Sequence, residues 1–320
     1  MAAVSPAACA PCHREETRGF AASAMTRALE RAGDSPILRE NSPLTAAFEN
    51  YSYQIARSGS GAAYTVSDGK NTVGLSLEWA FGQGSAGQTY LYQREGRWYE
   101  ARVSYYSALK RLDLTMGTRE ITVHNAEDAA GRPLTPRDTA DCFGCHATGA
   151  VKGREFDSSG MTPGVQCERC HGASPQHLAG RGAMKKLGQL STEELSDFCG
   201  ECHRSWSQIM VNGPRGVLNV RFQPYRLAGS KCYDAEDPRI RCTACHNPHA
   251  ALEKSPRAYD TKCLACHSPP ASGKASHRIC QVSKTDCVTC HMPKVELPEA
   301  HKLFADHRIR IVRTGEAYPD

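Results

Sequence analysis

Apolar and polar residues alternate along much of the stretch between residues 40 and 115, with a period of two that is typical of half-buried β-strands. The clearest run covers residues 73–79, where Val, Leu, Leu and Trp alternate with Gly, Ser and Glu. Further strands are predicted at residues 51–55, 90–92 and 99–105, and hairpin turns at Asp68-Gly69 and Glu95-Gly96. We therefore expect a small antiparallel sheet in this stretch.

A second pattern, the pentapeptide C-x-x-C-H, occurs seven times and uses 14 of the 16 cysteines. The frequencies of 16 Cys and 13 His in 320 residues predict about 0.03 such pentapeptides by chance. The motif is the attachment signature of haem c, in which both thiols bond to porphyrin vinyl groups and the histidine binds the iron as proximal ligand. Zinc sites would instead pair C-x-x-C units, without a histidine after every second cysteine. We expect seven haem c groups, at Cys9/Cys12/His13, Cys142/Cys145/His146, Cys167/Cys170/His171, Cys199/Cys202/His203, Cys242/Cys245/His246, Cys263/Cys266/His267 and Cys287/Cys290/His291.

The spacing of these motifs suggests how the chain is organised. Six of the seven begin after residue 140, at separations of 21 to 43 residues, which leaves room for short helices and loops around the haems. The predicted fold is therefore mostly irregular with short α-helices, organised around seven covalently bound haems, with an inserted small antiparallel β domain. The predicted domains are an N-terminal haem segment (1–39), the β insert (40–120) and a hexahaem core (121–320). The insert would either cover the first haem or serve as a docking surface.

Composition and charge agree with a chain built around cofactors. Aromatic residues make up only 7% of the chain, so we expect the apolar haem faces to complete an otherwise thin core. The formal charge of +5 does not indicate nucleic-acid binding, because haem propionates add about 14 negative charges and ferric irons return about 7 positive ones. Lys185-Lys186 and the arginines at 308, 310 and 313 are expected to be solvated or paired with propionates.

The attachment chemistry also predicts where the protein resides. Haem c is attached outside the cytoplasm, so we expect an exported protein, either periplasmic or at the cell surface. The first motif begins at residue 9 with no signal peptide before it, so we expect that the signal has been removed or that the sequence is a processed fragment. No run of about 20 apolar residues occurs, and no transmembrane segment is expected.

Six histidines lie outside the motifs, almost one for the distal side of each haem. His249 lies three residues after the proximal His246, and the roughly 10 Å spanned by three extended residues cannot pass round a porphyrin, so His249 should bind a neighbouring haem. His301 and His307 do not share a helical face and should serve two different haems. Met25 is the candidate for the remaining haem, which would otherwise be five-coordinate; a methionine filling a helix interface is the alternative. The predicted distal ligands are Met25, His124, His177, His249, His277, His301 and His307.

Cys232 and Cys280 are the two cysteines outside the motifs. In an oxidising compartment, a disulfide between them is the simplest expectation. It would tie the segment before the fifth motif to the segment before the seventh. Free thiols or a thiolate haem ligand are the alternatives.

The surroundings of several motifs resemble multihaem cytochromes related to the tetrahaem cytochrome c of ammonia oxidisers. The segment from Cys9 to Met25 resembles the opening of that family, except that Met25 stands where a Ser-x-His element supplies a haem ligand. The departure implies one haem with a potential above its bis-histidine neighbours. The other matching segments are Cys167–His177, whose last residue is implied as a distal ligand, Cys242–His249 with its C-x-x-C-H-N-P-H element, Cys287–Lys294 and Phe304–Arg310. The resemblance covers most of the chain, and the strand-rich insert looks like one found in bacterial members of unknown function.

The function expected from these features is electron transport along closely packed, mostly bis-histidine haems, with redox proteins or extracellular electron acceptors as partners. The alternative is an oxidoreductase acting on nitrogen or sulfur oxyanions at one open haem. Catalytic multihaem nitrite reductases often carry C-x-x-C-K at the active haem, and no such motif occurs here. A further hypothesis is a homopolymeric extracellular filament in which subunits share haem ligands, with the distant first haem site at the junction.

Overall fold

The computed structural model describes residues 4–268 and 280–319. The chain divides into two compact units. The first runs up to Lys185 and includes Pro298–Lys302, and the second comprises Lys186–Leu297 and the residues from Leu303 onward. The first three haem motifs belong to the first unit and the other four to the second.

Nine strands of the described chain form one antiparallel sheet in the first unit. They are β1 (Leu29–Arg31), β2 (Leu44–Phe48), β3 (Tyr51–Ser58), β4 (Gly61–Ser67), β5 (Thr72–Phe81), β6 (Gln88–Arg94), β7 (Arg97–Tyr106), β8 (Arg111–Leu114) and β9 (Gly131–Pro133). Strands β2 to β8 follow one another in chain order, while β1 pairs with β5 and β9 pairs with β7. The end strands β2 and β8 lie near each other, so the sheet is nearly closed.

The predicted fold class is wrong in its proportions. The structure is 34% helical and 26% strand, and a large, nearly closed sheet stands where the sequence predicted a small insert in a mostly irregular, helical chain. The sheet recruits β1 and β9 from outside the alternating stretch. Each has only three residues, too few to show a period of two, so their pairing depends on tertiary contacts.

The helices are short, and six of the twelve described α-helices contain all or most of a haem motif. They are α1 (Arg14–Ala21), α2 (Pro36–Asn41), α3 (Ala126–Ala130), α4 (Pro136–His146), α5 (Cys167–His171), α6 (Pro175–Leu178), α7 (Thr192–His203), α8 (Trp206–Asn212), α9 (Gln223–Ala228), α10 (Cys242–Cys245), α11 (Asp260–His267) and α12 (Cys287–His291). Three two-stranded sheets complete the described fold: β10 (Ala147–Thr148) with β13 (Thr162–Pro163), β11 (Val151–Lys152) with β12 (Glu155–Phe156), and β14 (Lys294–Leu297) with β15 (Lys302–Ala305). Within the described ranges, no helix is both long and apolar enough to cross a bilayer.

A β-bulge gives the sheet two separate cores. The register of β5 against β6 shifts between Leu77 and Trp79, and such a shift turns the following side chains to the other face. Leu77 therefore packs in a first core lined by residues of β2 to β8, whereas Trp79 and Phe81 pack in a second core with Phe143. Strict alternation would have kept Leu77 and Trp79 on one face.

The second core buries the middle of a haem motif. Phe143 is one of the two residues between Cys142 and Cys145, and its side chain is 0% exposed. Its ring centroid lies 5.1 Å from that of Phe81 and 5.4 Å from that of Trp98. The sheet thus supports the second haem motif, a contact that strand patterning alone does not predict.

Replacing Phe143 with alanine should lower the free energy of unfolding of the holoprotein by about 3–5 kcal/mol, because a fully buried aromatic side chain is removed from a packed core. Guanidinium unfolding followed by far-ultraviolet circular dichroism measures the change. The control is Val282→Ala, since Val282 is 93% exposed and its truncation should change stability by less than about 0.5 kcal/mol. Equal, small effects of both substitutions would show that the second core does not hold the motif.

Candidate haem sites

The haem motifs adopt helical turns. Six of the seven lie in helices, and five of those helices end on the proximal histidine. The first motif forms a turn in which the His13 amide donates to the Cys9 carbonyl at 2.9 Å. Residues at positions i, i+3 and i+4 lie on the same face of a helix. Both thiols and the imidazole therefore project to one side, as attachment of one haem requires.

The two cysteines of each motif stay separate thiols in the structure and do not form a disulfide with each other. Thiols are the form that adds to porphyrin vinyl groups, so this state is the one that attachment requires. All seven first cysteines are half-buried, and none of the second cysteines is fully buried, so the sulfurs are accessible to a haem. The thioether bonds themselves stay a prediction at every motif. The second cysteines are Cys12, Cys245 and Cys290, which are exposed, and Cys145, Cys170, Cys202 and Cys266, which are half-buried.

Longer motif helices begin with capping boxes. In α4, Thr135 and Asp138 exchange side-chain to backbone hydrogen bonds, and in α7, Ser191 and Glu194 do the same. These bonds satisfy amides that the first helical turn leaves without partners. Each helix thus begins at a defined residue and ends on its haem ligand.

Backbone carbonyls fix the orientation of several histidine rings. A carbonyl oxygen can only accept, so Nδ1 carries the proton and Nε2 keeps the lone pair that binds a metal. This arrangement is the usual outer-shell partner of a metal-bound histidine. The Nδ1 to oxygen distances are His146–Ala28 2.8 Å, His171–Lys185 2.9 Å, His177–Gly182 3.0 Å, His291–Arg310 2.9 Å and His307–Ala305 3.0 Å.

Two proximal histidines each face one of the predicted distal histidines. The ring centroids of His13 and His177 lie 6.3 Å apart, and those of His246 and His307 lie 6.2 Å apart. With metal–nitrogen bonds of about 2 Å, two imidazoles on opposite sides of one metal have centroids about 6.2 Å apart, whereas tetrahedral ligation brings them to about 5 Å. Both distances therefore fit axial ligation of a haem iron and do not fit tetrahedral zinc.

The charge state of these rings suits ligation, because only a neutral imidazole can bind a metal through Nε2. Burial, together with nearby His246, lowers the pKa of His307 to about 4. Burial also lowers the pKa of His246 and of His146. All three rings are therefore neutral near pH 7.

Apolar side chains on the surface are concentrated around the later haem motifs. In the part of the chain that the structure describes, every exposed large apolar side chain lies at or after Leu178, and none lies in the nine-stranded sheet. Leu178 follows His177, and Leu252 comes three residues after His249. Apolar surface of this kind can pack against a porphyrin face. The full set is Leu178, Trp206, Met210, Val211, Leu218, Leu252, Val282, Leu303, Ile311 and Val312.

Contacts between cysteines indicate which motifs are neighbours. The thiols of three pairs are hydrogen-bonded to each other, and each thiol belongs to the first cysteine of its motif. First cysteines bond to equivalent vinyl groups, so the paired haems would approach at equivalent edges. The pairs are Cys9 with Cys167, Cys199 with Cys242, and Cys263 with Cys287, joining motif one to three, four to five, and six to seven.

The second motif is joined to the third by strand pairing and a hydrogen bond. Strand β10 begins directly after His146 and pairs with β13, and the Gln166 amide donates to the Thr148 hydroxyl at 2.8 Å. Gln166 immediately precedes Cys167. The third motif is therefore tied to both the first and the second.

His301, a predicted distal ligand, lies against the sheet. Its Nε2 is 3.0 Å from the Asp113 carboxylate, and its ring packs edge-on against Tyr106 with centroids 4.7 Å apart. The nitrogen that would bind iron is therefore engaged by a carboxylate. Sequence spacing gave no sign of this contact, because Asp113 and His301 are far apart in the chain.

The other predicted distal ligands are His124, His249, Met25 and His277. His124 is exposed and His249 is half-buried. The Met25 carbonyl accepts from the Val165 amide, which places its turn beside the start of the third motif. His277 lies outside the described residues. For these four residues, as for His177, His301 and His307, ligation stays a prediction.

The predicted disulfide is absent from the structure, where Cys232 and Cys280 are both free thiols. Cys280 is exposed and Cys232 is partly buried. Burial raises the pKa of the Cys232 thiol, and the neighbouring Cys266 of the sixth motif raises it further. Cys232 thus lies beside a haem motif, and its pairing with Cys280 stays a prediction.

A buried ionic cluster holds the C-terminal histidine of the second unit. Asp306 is 0% exposed and accepts from Arg226 Nε and Nη2 at 2.9 and 3.0 Å and from Arg310 Nη1 at 2.6 Å. The following residue is His307, and the Arg310 carbonyl orients His291. One cluster therefore positions the distal ring that faces His246 and the proximal ring of the seventh motif.

Replacing Asp306 with asparagine should lower the free energy of unfolding by about 3–5 kcal/mol, because Arg226 stays buried without its counter-charge. Burial alone would raise the pKa of Asp306, but hydrogen bonds from Arg226, the Arg308 amide and Arg310 outweigh it and lower the pKa. The stabilisation is thus complete above the ordinary carboxyl pKa and disappears as pH falls through the depressed value. Guanidinium titrations at pH 7 and at acid pH measure both effects. The control, Asp237→Asn at an exposed pair with Arg239, should have little effect, and equal losses in both variants would contradict the prediction.

Comparisons with known proteins agree with these sites. The family model for cytochrome c554 and c-prime matches residues 101–172, a segment that contains the second and third motifs. The multihaem cytochrome MtrA of Shewanella baltica (strain OS185) is 25% identical over 131 residues, which cover 37% of this chain and 34% of MtrA. The chain thus spans about a third of the length of that curated relative.

A solved structure has a similar fold. The crystal structure of the outer cell wall cytochrome OcwA matches 97% of this chain and 80% of its own chain, with a TM-score of 0.57 and 14% sequence identity. At that identity the likeness concerns the fold alone. The repeated haem motif, the family match and the cytochrome relative together support a multihaem c-type cytochrome.

Proposed function

We propose that this chain is an exported electron carrier that holds seven haem c groups in two closely packed arrays, one in each unit. The contacts between first cysteines are the observation that carries the proposal. Electron transfer becomes steeply slower with the distance between redox groups, and these contacts support a close approach of the haems on the paired motifs. In this arrangement the protein supplies spacing, ligation and burial, while the haems carry the electrons.

Within each unit the contacts support an order of haems. In the first unit the third haem would lie between the first and the second. In the second unit the fourth and fifth haems would form one pair and the sixth and seventh another. The proximity of Cys263 to Cys245, which raises the pKa of Cys245, supports a connection between the fifth and sixth motifs. Redox proteins or extracellular electron acceptors are the proposed partners, and the periplasm or cell surface the proposed location.

One of the arguments for a filament is weaker in the light of the structure. It relied on a first haem without a certain distal ligand in its own chain. His177 of the same chain now stands opposite His13 at a distance suited to one iron. The first site therefore does not require a histidine from a second subunit.

An oxidoreductase with one open haem is the second candidate, and the placement of His301 favours it. The seven predicted distal ligands matched seven haems only if His301 were one of them. With His301 bound to Asp113, six candidates remain for seven irons. The shortfall leaves one iron for a water molecule or a small oxyanion substrate.

The haem count is tested by a pyridine haemochrome assay and intact-mass measurement of the purified holoprotein, with seven haems per chain expected. Low-temperature EPR of the oxidised protein, quantified per haem, should show only low-spin haems if the protein is a carrier, whereas the open-haem candidate requires one high-spin haem. Turnover of nitrite, hydroxylamine or sulfite at an exchangeable haem would overturn the carrier assignment and establish the enzymatic one.

Alanine variants of the distal histidines test the two axial pairs. His177→Ala and His307→Ala should each convert one haem from low spin to high spin, because each removes one axial ligand. His301→Ala is the matched control and should leave every spin state unchanged, since its Nε2 binds Asp113. A new high-spin haem in His301→Ala, or none in His177→Ala and His307→Ala, would show that the pairing is wrong.

A further inference from the structure

Asp260 connects the sixth and seventh haem motifs through its side chain. It is the first residue of α11, the helix that carries the sixth motif, and it is 7% exposed. Its Oδ2 accepts from the Asp286 amide at 2.8 Å, and its Oδ1 accepts from the Cys287 amide at 2.9 Å. Cys287 begins both α12 and the seventh motif. The carboxylate of one motif helix thus caps the next.

The same side chain lies beside the contact between the two first cysteines. Cys263 follows Asp260 by three residues, so both are on one face of α11. The Cys263 thiol hydrogen-bonds to that of Cys287, and the Asp260 carboxylate contacts the Cys287 thiol as well. The positions of two haem attachment points therefore depend on one carboxylate.

The carboxylate is also a fixed negative charge. Hydrogen bonds from the Cys287 and Asp286 amides lower the pKa of Asp260, so it is ionised at neutral pH. A negative charge close to a haem stabilises its oxidised, more positive state and lowers its reduction potential. Arg257 also lowers the pKa of Asp260, and its guanidinium pairs with Asp286 at 3.5 Å.

We propose that Asp260 is a positioning residue that holds the sixth and seventh haems at contact distance and lowers the reduction potentials of both. The inference rests on the proposed function, because it requires a haem at each of these two motifs. It assigns two separable effects to one side chain, one of position and one of charge.

Two substitutions separate these effects in the holoprotein. Asp260→Asn keeps the size and one acceptor oxygen but removes the charge, whereas Asp260→Ala removes both. In a spectroelectrochemical titration, two of the seven haem equivalents should shift to higher potential in both variants. Hydrogen exchange of the 286–291 segment should become at least tenfold faster in Asp260→Ala and change much less in Asp260→Asn. If the alanine variant does not acquire its haems, the reduction potentials of the asparagine variant still test the proposal.

The matched control is Asp68→Asn. Asp68 also accepts two backbone amides, from Lys70 at 2.8 Å and Asn71 at 2.6 Å, but it lies in the hairpin between β4 and β5. This variant should leave all seven potentials unchanged. Unchanged potentials in Asp260→Asn, or a shift spread over all seven haems, would overturn the inference. A wild-type protein with fewer than seven haems would instead contradict the proposed function, which the haemochrome assay detects independently.

Discussion

Attachment of a haem c requires two cysteine sulfurs and one axial imidazole to project from the same side of a single helical turn. The segments of this protein that contain the haem motifs satisfy that requirement. The turn fixes the two sulfurs and the ring on one side. The helical turn does not fix the rotation of the imidazole ring about its side-chain bonds. In five of the histidines a backbone carbonyl oxygen that accepts from Nδ1 fixes this rotation. For His146, His171 and His291 the carbonyl lies 14 to 118 residues away in the chain, so a separate segment must fold back on each of these three motifs.

Buried or half-buried carboxylates connect the segments that fold back. Glu168, inside the third motif, accepts from the Val4 amide at 2.7 Å and from the Ser174 amide at 2.7 Å, which joins the segment before the first motif to the one before His177. Asp260 and Asp306 have comparable roles in the second unit. Each acid binds amides or guanidinium groups next to a haem motif.

The sheet has a clearer role than the sequence suggested. Its second core holds Phe143 within the second motif, and strand β1 is directly preceded by Ala28, whose carbonyl orients His146. A bulge in β5 makes this possible because it sends Trp79 and Phe81 to the face opposite Leu77. The sheet therefore belongs to the architecture of a haem site and is joined to it by packing as well as by the chain.

The sequence by itself determined the strands of the alternating stretch and the C-x-x-C-H motifs that predict the haem attachment points and proximal ligands, because each of these depends on neighbours within five residues or on a period of two. It also identified His177 and His307 among the distal candidates. Only the tertiary structure decided which proximal histidine each one faces, that His301 turns to Asp113, and that three-residue strands enlarge the sheet. Those outcomes depend on contacts between residues tens to hundreds of positions apart, and the local spacing of residues does not predict such contacts. The size of the sheet and the order of the haems are for that reason properties of the folded chain.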